Sequence, residues 1–543
     1  MKDQLIIALA QANPIVGAVA ENLAKARDLR AKAELRGAEL LLFPELFLSG
    51  YPPEDLVLKP AFVAACKEAL QALAADTAAG PAILIGLPWL ENGKLYNAMA
   101  LLHGGKIETL RFKHDLPNYG VFDEKRVFTP GPLPGPVNFK GVRIGIPICE
   151  DIWQADVCEC LAETGAEMLL VANGSPYELS KDDIRLSRVV ARVSETGLPL
   201  AYLNQVGGQD ELVFDGASFV IGADRSLRLQ MPSFVEDLAI THWQRGAEAW
   251  EMTQGEIAPF ADDEASIWQA CVLGLRDYVQ KNRFPSVVLG LSGGIDSAIV
   301  AAMAVDALGP EKVHCVMLPY RYTSNESLED AKACALALGC RYDVLPIEAP
   351  VAGFLDSLKD LFHGLPADVT EENLQSRVRG SLLMAISNKF GAMVLTTGNK
   401  SEMSAGYATL YGDMNGGFNP IKDVYKTQVY RLAKYRNQIS PVIPERIITR
   451  PPSAELRPDQ KDQDSLPDYA ILDDILSCLV EKELPLQEIV ARGHEASVVE
   501  RVARLLSIAE YKRRQAAPGV KITARNFGRD RRYPITNGFR EKI

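Results

Sequence analysis

The sequence of 543 residues lacks the patterns of several specialised protein classes. Its nine cysteines are scattered, and the closest pair, Cys158 and Cys160, is not a Cys-x-x-Cys, so neither a disulfide framework nor a zinc site is indicated. The N-terminal apolar run turns polar by Gln11, which makes it too short for a signal or membrane-spanning segment. These absences predict a protein of the reducing cytoplasm with no membrane partner.

An excess of positive charge is missing as well. The net charge of -12 at pH 7 argues against a general nucleic-acid binder, so we expect no nucleic-acid partner. Only the segment from Lys512 onward is locally basic. Such a segment is typical of a solvated tail, of a site for an anionic ligand or of an RNA contact.

The Gly-x-x-x-x-Gly-Lys-[Ser/Thr] loop is also missing, which disfavours ordinary kinase or ATPase chemistry. A different glycine-rich turn, GLSGGIDS at residues 290–297, lies between an apolar run and a helical stretch. Adjacent glycines let backbone N–H groups converge on an anion, and the helix N-terminus adds partial positive charge. The turn predicts a phosphate site. The alternative is a plain tight turn in a doubly wound sheet.

Hydrophobic periodicity divides the chain into two regions. Residues 1–245 alternate short apolar strands with amphipathic helices, which predicts a layered α/β sandwich. Residues 246–264 are polar and acidic and predict a linker. Residues 265–543 resume with helix, strand, phosphate turn and helix, the rhythm of a doubly wound parallel sheet that binds nucleotides. Strands are predicted at residues 5–9, 40–43, 82–85, 142–146, 168–171 and 200–203, and loops at 405–420 and 440–468.

Three potentially reactive residues of the first region, Glu45, Lys113 and Cys149, follow or lie close to apolar strands. A cysteine thiolate can attack an amide carbon, a carboxylate can take the thiol proton, and a lysine can stabilise the oxyanion. The three residues therefore predict amide hydrolysis. A histidine-based cysteine hydrolase with His114 as the base is the chemical alternative.

In the second region, Asp296 lies inside the phosphate turn and is the natural first ligand for magnesium. The string TTGNKSE follows another apolar strand and offers Thr397 for adenosine or phosphate and Glu402 as a second metal ligand or a substrate contact. Asn373 and Arg377 lie on a predicted helix, where they form either a binding face or a solvated face.

Nearly all of residues 1–245 resemble the nitrilase superfamily, whose fold is an α-β-β-α sandwich, through the passages FPEL, FKHDLP and GIPICED. The resemblance implies that Cys149 is the nucleophile, Glu45 the general base and Lys113 the third member of the triad, with Glu124 as an auxiliary glutamate. Its glutaminase members imply that the side-chain amide substrate, glutamine, is held by Tyr119, Ser175 and Lys181; ordinary loop roles are the alternative.

The turn at residues 290–297 resembles the pyrophosphate loop of the N-type ATP pyrophosphatases, and residues 371–426 resemble NAD synthetase. This implies ATP as a co-substrate and Mg²⁺ as a cofactor held by Asp296 and Glu402. Leu410 and Gly417 depart from the pattern, because ammonia-only synthetases carry a lysine and an aspartate there. The residues implied to bind ATP are Gly290, Leu291, Ser292, Gly293, Gly294, Ile295, Asp296, Ser297, Thr397 and Lys426, and those implied to bind deamido-NAD are Asn373, Arg377, Glu402 and Lys512.

Together the two regions resemble the glutamine-dependent NAD synthetases from about residue 4 to about residue 534. The resemblance implies ATP-dependent amidation of deamido-NAD with ammonia from glutamine, and a homodimer or larger assembly. One alternative is another amidotransferase with the same loop, such as a GMP or asparagine synthetase, whose glutaminases use Cys-His-Glu or an N-terminal cysteine, whereas residue 2 here is lysine. Two further alternatives for the function are a nucleotide-sensing regulator and a thiouridylase-like RNA enzyme.

Overall fold

The computed structural model describes residues 3–543. The chain folds as two compact units, one ending at Ala261 and the other spanning Asp262–Ile543. Within the described residues, no helix is both long enough and apolar enough to cross a bilayer.

The first unit contains two large β-sheets and four α-helices. The strands are β1 (Gln4–Gln11), β2 (Leu40–Leu42), β3 (Ala82–Glu91), β4 (Lys94–His103), β5 (Lys106–Phe112), β6 (Val137–Phe139), β7 (Val142–Gly145), β8 (Met168–Asn173), β9 (Leu200–Asn204), β10 (Val206–Gln209), β11 (Leu212–Asp215), β12 (Phe219–Ile221), β13 (Leu227–Gln230), β14 (Asp237–Arg245) and β15 (Trp250–Met252). The helices are α1 (Val19–Leu35), α2 (Pro60–Asp76), α3 (Asp156–Glu163) and α4 (Lys181–Thr196).

The two sheets pack face to face and each is covered by helices on its outer face. One sheet has the order β15-β14-β1-β2-β3-β4-β5 and the other β13-β12-β9-β8-β7-β6. Side chains alternate along β1, so that Leu9 points into the core between the sheets while Ala8 and Ala10 pack towards α1 and α2. Helices α3 and α4 cover the second sheet. The predicted α-β-β-α sandwich is confirmed, as are all six predicted strands.

Residues 246–264, predicted as a linker, contain a strand of the first sheet. β15 pairs antiparallel with β14, placing Trp243 opposite Met252. The strand is held by Trp250, which is buried beneath the guanidinium of Arg245 at 4.8 Å from the ring centroid. A three-residue strand in a polar passage is too short to give a detectable alternation.

The second unit is built on a four-stranded parallel sheet with the order β18-β17-β16-β19. Its strands are β16 (Val287–Gly290), β17 (Val313–Met317), β18 (Arg341–Val344) and β19 (Met393–Val394). Its helices are α5 (Asp263–Lys281), α6 (Ile295–Leu308), α7 (Asn325–Leu338), α8 (Glu348–Leu358), α9 (Val369–Phe390), α10 (Lys400–Ala405), α11 (Lys426–Ile439), α12 (Glu445–Thr449), α13 (Tyr469–Val480), α14 (Leu486–Ala491), α15 (Ala496–Ile508) and α16 (Glu510–Arg513).

Strand order reverses between β16 and β19, since the chain runs from β16 to β17 and β18 on one side and returns to β19 on the other. In open parallel sheets, ligands bind beyond the carboxyl ends of the strands at such a switch point. The turn after β16 is the predicted phosphate turn, so the topology confirms the predicted doubly wound sheet and places the turn at the switch point.

The basic C-terminal segment is not a solvated tail between residues 520 and 531. Ile522 is buried, and the side-chain nitrogen of Lys521 lies 3.3 Å from Asp530. The carboxylate of Asp423 accepts hydrogen bonds from the backbone N–H groups of Ile522 and Thr523 at 2.8 and 2.7 Å. A carboxylate from a distant part of the chain thus fixes the backbone of this segment, and Lys521 is buried beside a carboxylate of the segment itself.

Candidate functional site

The three reactive residues predicted in the first unit come together: Lys113 and Glu45 form a buried ion cluster with Glu124, and Cys149 interacts with this cluster. Lys113 Nζ lies 2.7 Å from Glu45 Oε1 and 3.0 Å from Glu124 Oε2. Cys149 is buried and interacts electrostatically with Lys113 and Glu45. The cluster forms because Glu45, Lys113 and Cys149 follow β2, β5 and β7, which belong to facing sheets.

Burial governs the charges in this cluster. It raises the pKa of the Cys149 thiol well above its usual range; Glu45 raises it further and Lys113 lowers it. Burial alone would lower the pKa of Lys113, but Glu124 and Glu45 outweigh that effect and raise it. Burial also raises the pKa of Glu124 to about 7, although Lys113 opposes the increase. The resting site therefore holds a neutral thiol beside a permanent ammonium ion.

The turn that carries Glu45 is fixed by close packing and hydrogen bonds. Asn97 Nδ2 donates to Glu45 Oε1 at 2.7 Å, and the Gly174 N–H donates to Glu45 Oε2 at 2.9 Å. A Cβ on Gly86 would lie only 2.2 Å from the backbone nitrogen of Leu46, so glycine is required behind the carboxylate. Cys149 has a φ of 46°, a left-handed conformation that is uncommon for a residue with a side chain and frequent at functional sites.

The predicted glutamine-binding residues lie at the rim and wall of the same site. Tyr119 is half exposed, and its hydroxyl donates to Glu150 Oε1 at 3.1 Å. Lys181 Nζ lies 5.9 Å from the ring centroid of Phe122, which also contacts Tyr119. Ser175 is buried and adjoins Gly174, the donor to Glu45.

The histidine alternative is not supported by the geometry. His114 Nδ1 lies 2.7 Å from the carbonyl oxygen of Gly131. The neighbouring carboxylate, Asp151, accepts hydrogen bonds from the backbone N–H groups of His114 and Asp115 instead of orienting the imidazole. Within residues 3–543, the groups that influence Cys149 most are carboxylates and Lys113.

The predicted phosphate turn is an open cradle at the start of α6. Gly293 has a φ of 81°, and a Cβ there would lie 2.4 Å from the Ser327 carbonyl oxygen. Ser297 Oγ accepts from the Ser292 N–H at 3.2 Å, while Ser292 Oγ accepts from the Gly294 N–H at 3.2 Å. All eight residues of the turn line a cavity, together with Thr397, Glu402 and Lys426. The structure therefore brings together every residue predicted to bind ATP.

Lys426 bridges the two predicted magnesium ligands. Its ammonium group contacts Asp296 Oδ2 and lies 3.1 Å from Glu402 Oε1. Burial raises the pKa of Glu402 to about 8; Lys426 lowers it, and the carboxylates of Asp296 and Asp462 raise it. Two converging carboxylates beside a phosphate cradle are a suitable donor set for Mg²⁺, which is commonly held by one or two carboxylates and substrate phosphates. No cluster of three or more ligating residues occurs between residues 3 and 543.

The other residues predicted to bind deamido-NAD converge on the loop that follows α10. Asn373 Oδ1 accepts from Thr409 Oγ1 at 3.0 Å, and Arg377 Nε donates to the Leu410 carbonyl at 3.2 Å. Lys512 Nζ donates to the Gly406 and Ala408 carbonyls, both at 2.7 Å. These three side chains therefore gather around residues 406–410, within the loop predicted at 405–420.

Sequence reasoning missed three polar residues at these sites. Glu150 directly follows the nucleophile and contacts Tyr119. Tyr51 donates from its hydroxyl to Glu124 Oε1 at 3.0 Å. Arg379 lines the cavity at the phosphate turn and donates to the Leu318 carbonyl at 2.9 Å. The position of Glu150 beside Cys149 was the one local signal; the contacts of Tyr51 and Arg379 depend on distant segments.

Known proteins resemble the chain over both units. Residues 6–251 match the family model for carbon-nitrogen hydrolases, and residues 267–516 match the family model for NAD synthase. The glutamine-dependent NAD(+) synthetase of Rhodobacter capsulatus is 50% identical, covering 100% of both chains. The enzyme of the same name from Acinetobacter baylyi is 48% identical, covering 98% of both chains.

Two solved structures also resemble the chain over nearly its whole length. A glutamine-dependent NAD+ synthetase from Acinetobacter baumannii in complex with adenosine diphosphate is 45% identical, with a TM-score of 0.80, covering 98% of this chain and 99% of that one. The synthetase from Cytophaga hutchinsonii, 23% identical, shares the fold with a TM-score of 0.85 over 98% of each chain. Since full-length identity reaches 50% and the two family models match in the order of the two units, the chain belongs to the glutamine-dependent NAD(+) synthetase family.

Proposed function

We propose that the chain is a ligase that converts deamido-NAD to NAD, using ATP and the side-chain nitrogen of glutamine. The observation that carries the proposal is the presence, in one chain of this family, of a buried Glu–Lys–Cys cluster and a separate phosphate cradle. The first is suited to release ammonia from an amide, and the second is suited to activate a carboxylate.

In the first unit, Glu45 takes the proton of the Cys149 thiol as sulfur attacks the carboxamide carbon of glutamine. Lys113, held at 2.7 Å from Glu45, stabilises the oxyanion of the tetrahedral intermediate. The proton returns to the leaving nitrogen, and ammonia departs. Water then attacks the glutamyl thioester with Glu45 as general base, releasing glutamate and restoring the thiol.

Recognition of glutamine over a simple amide requires groups for its α-ammonium and α-carboxylate. Glu150 provides a carboxylate at the rim of the site, and Tyr119 holds it there through its hydroxyl. Lys181 provides the opposite charge beside Phe122. Ser175 contacts the substrate near the reacting amide; its burial next to Gly174, the donor to Glu45, supports this role.

In the second unit, the turn at residues 290–297 binds the phosphates of ATP through its backbone N–H groups and serine hydroxyls. The nicotinate carboxylate of deamido-NAD attacks the α-phosphorus, pyrophosphate leaves, and ammonia displaces AMP from the acyl adenylate. Asn373, Arg377 and Lys512 position deamido-NAD at the loop 406–410. Asp296 and Glu402 would hold Mg²⁺, which supplies neutralisation of phosphate charge when bound.

We also propose that the active form is a homodimer or a larger assembly. Support comes from the family resemblance and from apolar side chains exposed on the second unit, among them Leu361 and Leu365, which are 75% and 69% exposed. Light scattering at working concentration is expected to give at least twice the mass of one chain; a monomer would contradict the proposal. Location in the cytoplasm stays a prediction from the sequence.

The test uses purified full-length protein with ATP, magnesium and deamido-NAD, and compares glutamine with ammonium as the nitrogen donor. We expect NAD, AMP and pyrophosphate from both donors. Cys149→Ala should abolish synthesis from glutamine and retain synthesis from ammonium, whereas Cys158→Ala, another buried cysteine of the first unit, should retain both. Loss of both activities in Cys149→Ala alone would contradict the division of labour between the units.

A further inference from the structure

Arg185 is a buried arginine in the second turn of α4, and it contacts Ser175, one of the residues assigned to glutamine. Its Nε donates to Ser175 Oγ at 3.2 Å, and its Nη2 donates to the carbonyl oxygens of Ser175 and Pro176, both at 2.9 Å. Its Nη1 donates to Asp215 Oδ2 at 2.6 Å and to Asp182 Oδ1 at 3.2 Å. One side chain therefore contacts both ends of the segment from residue 175 to residue 182.

This segment carries two of the groups assigned to glutamine, and the residue that precedes it orients the base. Ser175 lies at its start, and Lys181 immediately precedes Asp182. Gly174, next to Ser175, donates its N–H to Glu45 Oε2 at 2.9 Å. A change in the position of Ser175 would therefore alter the substrate contact more directly than the triad, because Glu45 retains its bonds to Asn97 and Lys113.

We propose that Arg185 is a positioning residue for glutamine recognition, holding Ser175 and Lys181 at a fixed separation by anchoring their segment to Asp215. The proposal rests on the proposed glutaminase function of the first unit. Arginine suits the role because its planar fork offers five N–H donors in fixed directions, and five acceptors surround it here. Lysine keeps the charge but has three donors at a single point, so it cannot join both ends of the segment.

Arg192 provides a matched control on the same helix. It is buried like Arg185, but its Nη2 bonds Glu195, whereas its Nε and Nη1 have no hydrogen-bond partner in the described structure. If α4 needs a buried arginine at both positions, substitution of either residue would raise the KM for glutamine. If arginine is needed to position the segment 175–182, only substitution of Arg185 would raise the KM for glutamine.

The experiment measures glutamine hydrolysis and ammonium-driven NAD synthesis on the same preparations of full-length wild type, Arg185→Lys and Arg192→Lys. For Arg185→Lys we expect the KM for glutamine to rise at least about tenfold while kcat changes by less than about threefold, because misplacement of a substrate contact weakens binding without removing the triad. Ammonium-driven synthesis should stay within about twofold of wild type, and Arg192→Lys should leave the glutamine KM unchanged.

An unchanged KM in a folded Arg185→Lys protein, or an equal rise in Arg192→Lys, would overturn the proposal. Should Arg185→Lys not fold, Asp215→Asn replaces it, because the side-chain volume is kept while loss of the charge weakens the bond that anchors Arg185. A raised KM with kcat retained supports positioning, and an unchanged KM overturns it. Absence of glutamine hydrolysis in wild type would instead contradict the proposed function itself.

Discussion

Each unit places one buried lysine between two carboxylates, but the two arrangements differ in exposure. In the first unit the side chains of Lys113 and Glu45 are fully buried and that of Glu124 is 8% exposed. In the second, Lys426 is buried, but Asp296 and Glu402 are 18% and 17% exposed and face the nucleotide cavity. The enclosed cluster can keep its side chains in place while a proton moves to and from Glu45. In the open cluster, the two carboxylates and the lysine can be reached by a metal ion and phosphates.

The comparison predicts the largest effect for Lys113→Met. Removal of the ammonium leaves two carboxylates buried without a counter-ion, which costs about 3–5 kcal/mol of the free energy of unfolding. The oxyanion also loses its cation, so glutamine hydrolysis should fall by roughly 10⁴-fold. Tryptophan fluorescence during urea unfolding and glutamate release would measure the two effects. Retained hydrolysis would show that the enclosed cluster is structural.

Lys426→Met is the matched change in the second unit. Synthesis of NAD should fall by roughly 10²–10³-fold with both glutamine and ammonium, because a cation is lost from the phosphate site. Stability should fall less than in Lys113→Met, since Asp296 and Glu402 can be hydrated. Lys434→Met, at an exposed position of the same helix, is the control. Equal destabilisation by Lys113→Met and Lys426→Met would break the comparison.

Glu402→Gln tests whether the open cluster receives magnesium. Loss of one carboxylate should raise the Mg²⁺ concentration for half-maximal synthesis by roughly tenfold and leave glutamine hydrolysis unchanged. Titration of synthesis from ammonium with Mg²⁺ measures the effect. Glu481→Gln, in the same unit but bonded to Lys400, is the control and should not shift the requirement. A Mg²⁺ titration curve for Glu402→Gln identical to that of wild type would show that Glu402 is not a magnesium ligand.

Glu124→Gln gives the smallest effect and concerns the charge of the enclosed cluster. The pKa of Glu124 is raised to about 7 in the folded state, so its stabilising contribution is present below its unfolded pKa, near 4.3, and is lost as pH rises through 7. The amide side chain of the Glu124→Gln variant cannot ionise. The unfolding free energy of the variant relative to wild type should therefore rise by about 1–3 kcal/mol between pH 5 and pH 8.

Tryptophan fluorescence suits this measurement, because Trp89, Trp153, Trp243 and Trp250 lie in the first unit and Trp268 lies in the second. A difference between variant and wild type that does not change with pH would contradict the raised pKa.

How far the sequence predicts these sites depends on whether a contact is local. Glu45, Lys113 and Cys149 each follow a strand, and the phosphate turn joins a strand to a helix, so strand period and turn chemistry predict their positions, whereas their roles are implied by the family resemblance. Glu150 was missed because its partner, Tyr119, lies 31 residues earlier in the chain. The packing of residues 520–531 was missed because Asp423, which binds the backbone of Ile522 and Thr523, lies 99 and 100 residues earlier in the chain.

The strand pairing of the first unit also bears on how the protein is made. β1 leaves the ribosome before its neighbours β2 and β14, so one of its edges stays unpaired until residues 237–244 have been synthesised. Similarly, Lys400 reaches its carbonyl partner at Arg525 only after more than a hundred further residues have been added. Each unit is therefore closed by its own late residues, and nascent intermediates expose a strand edge that chaperones would need to protect.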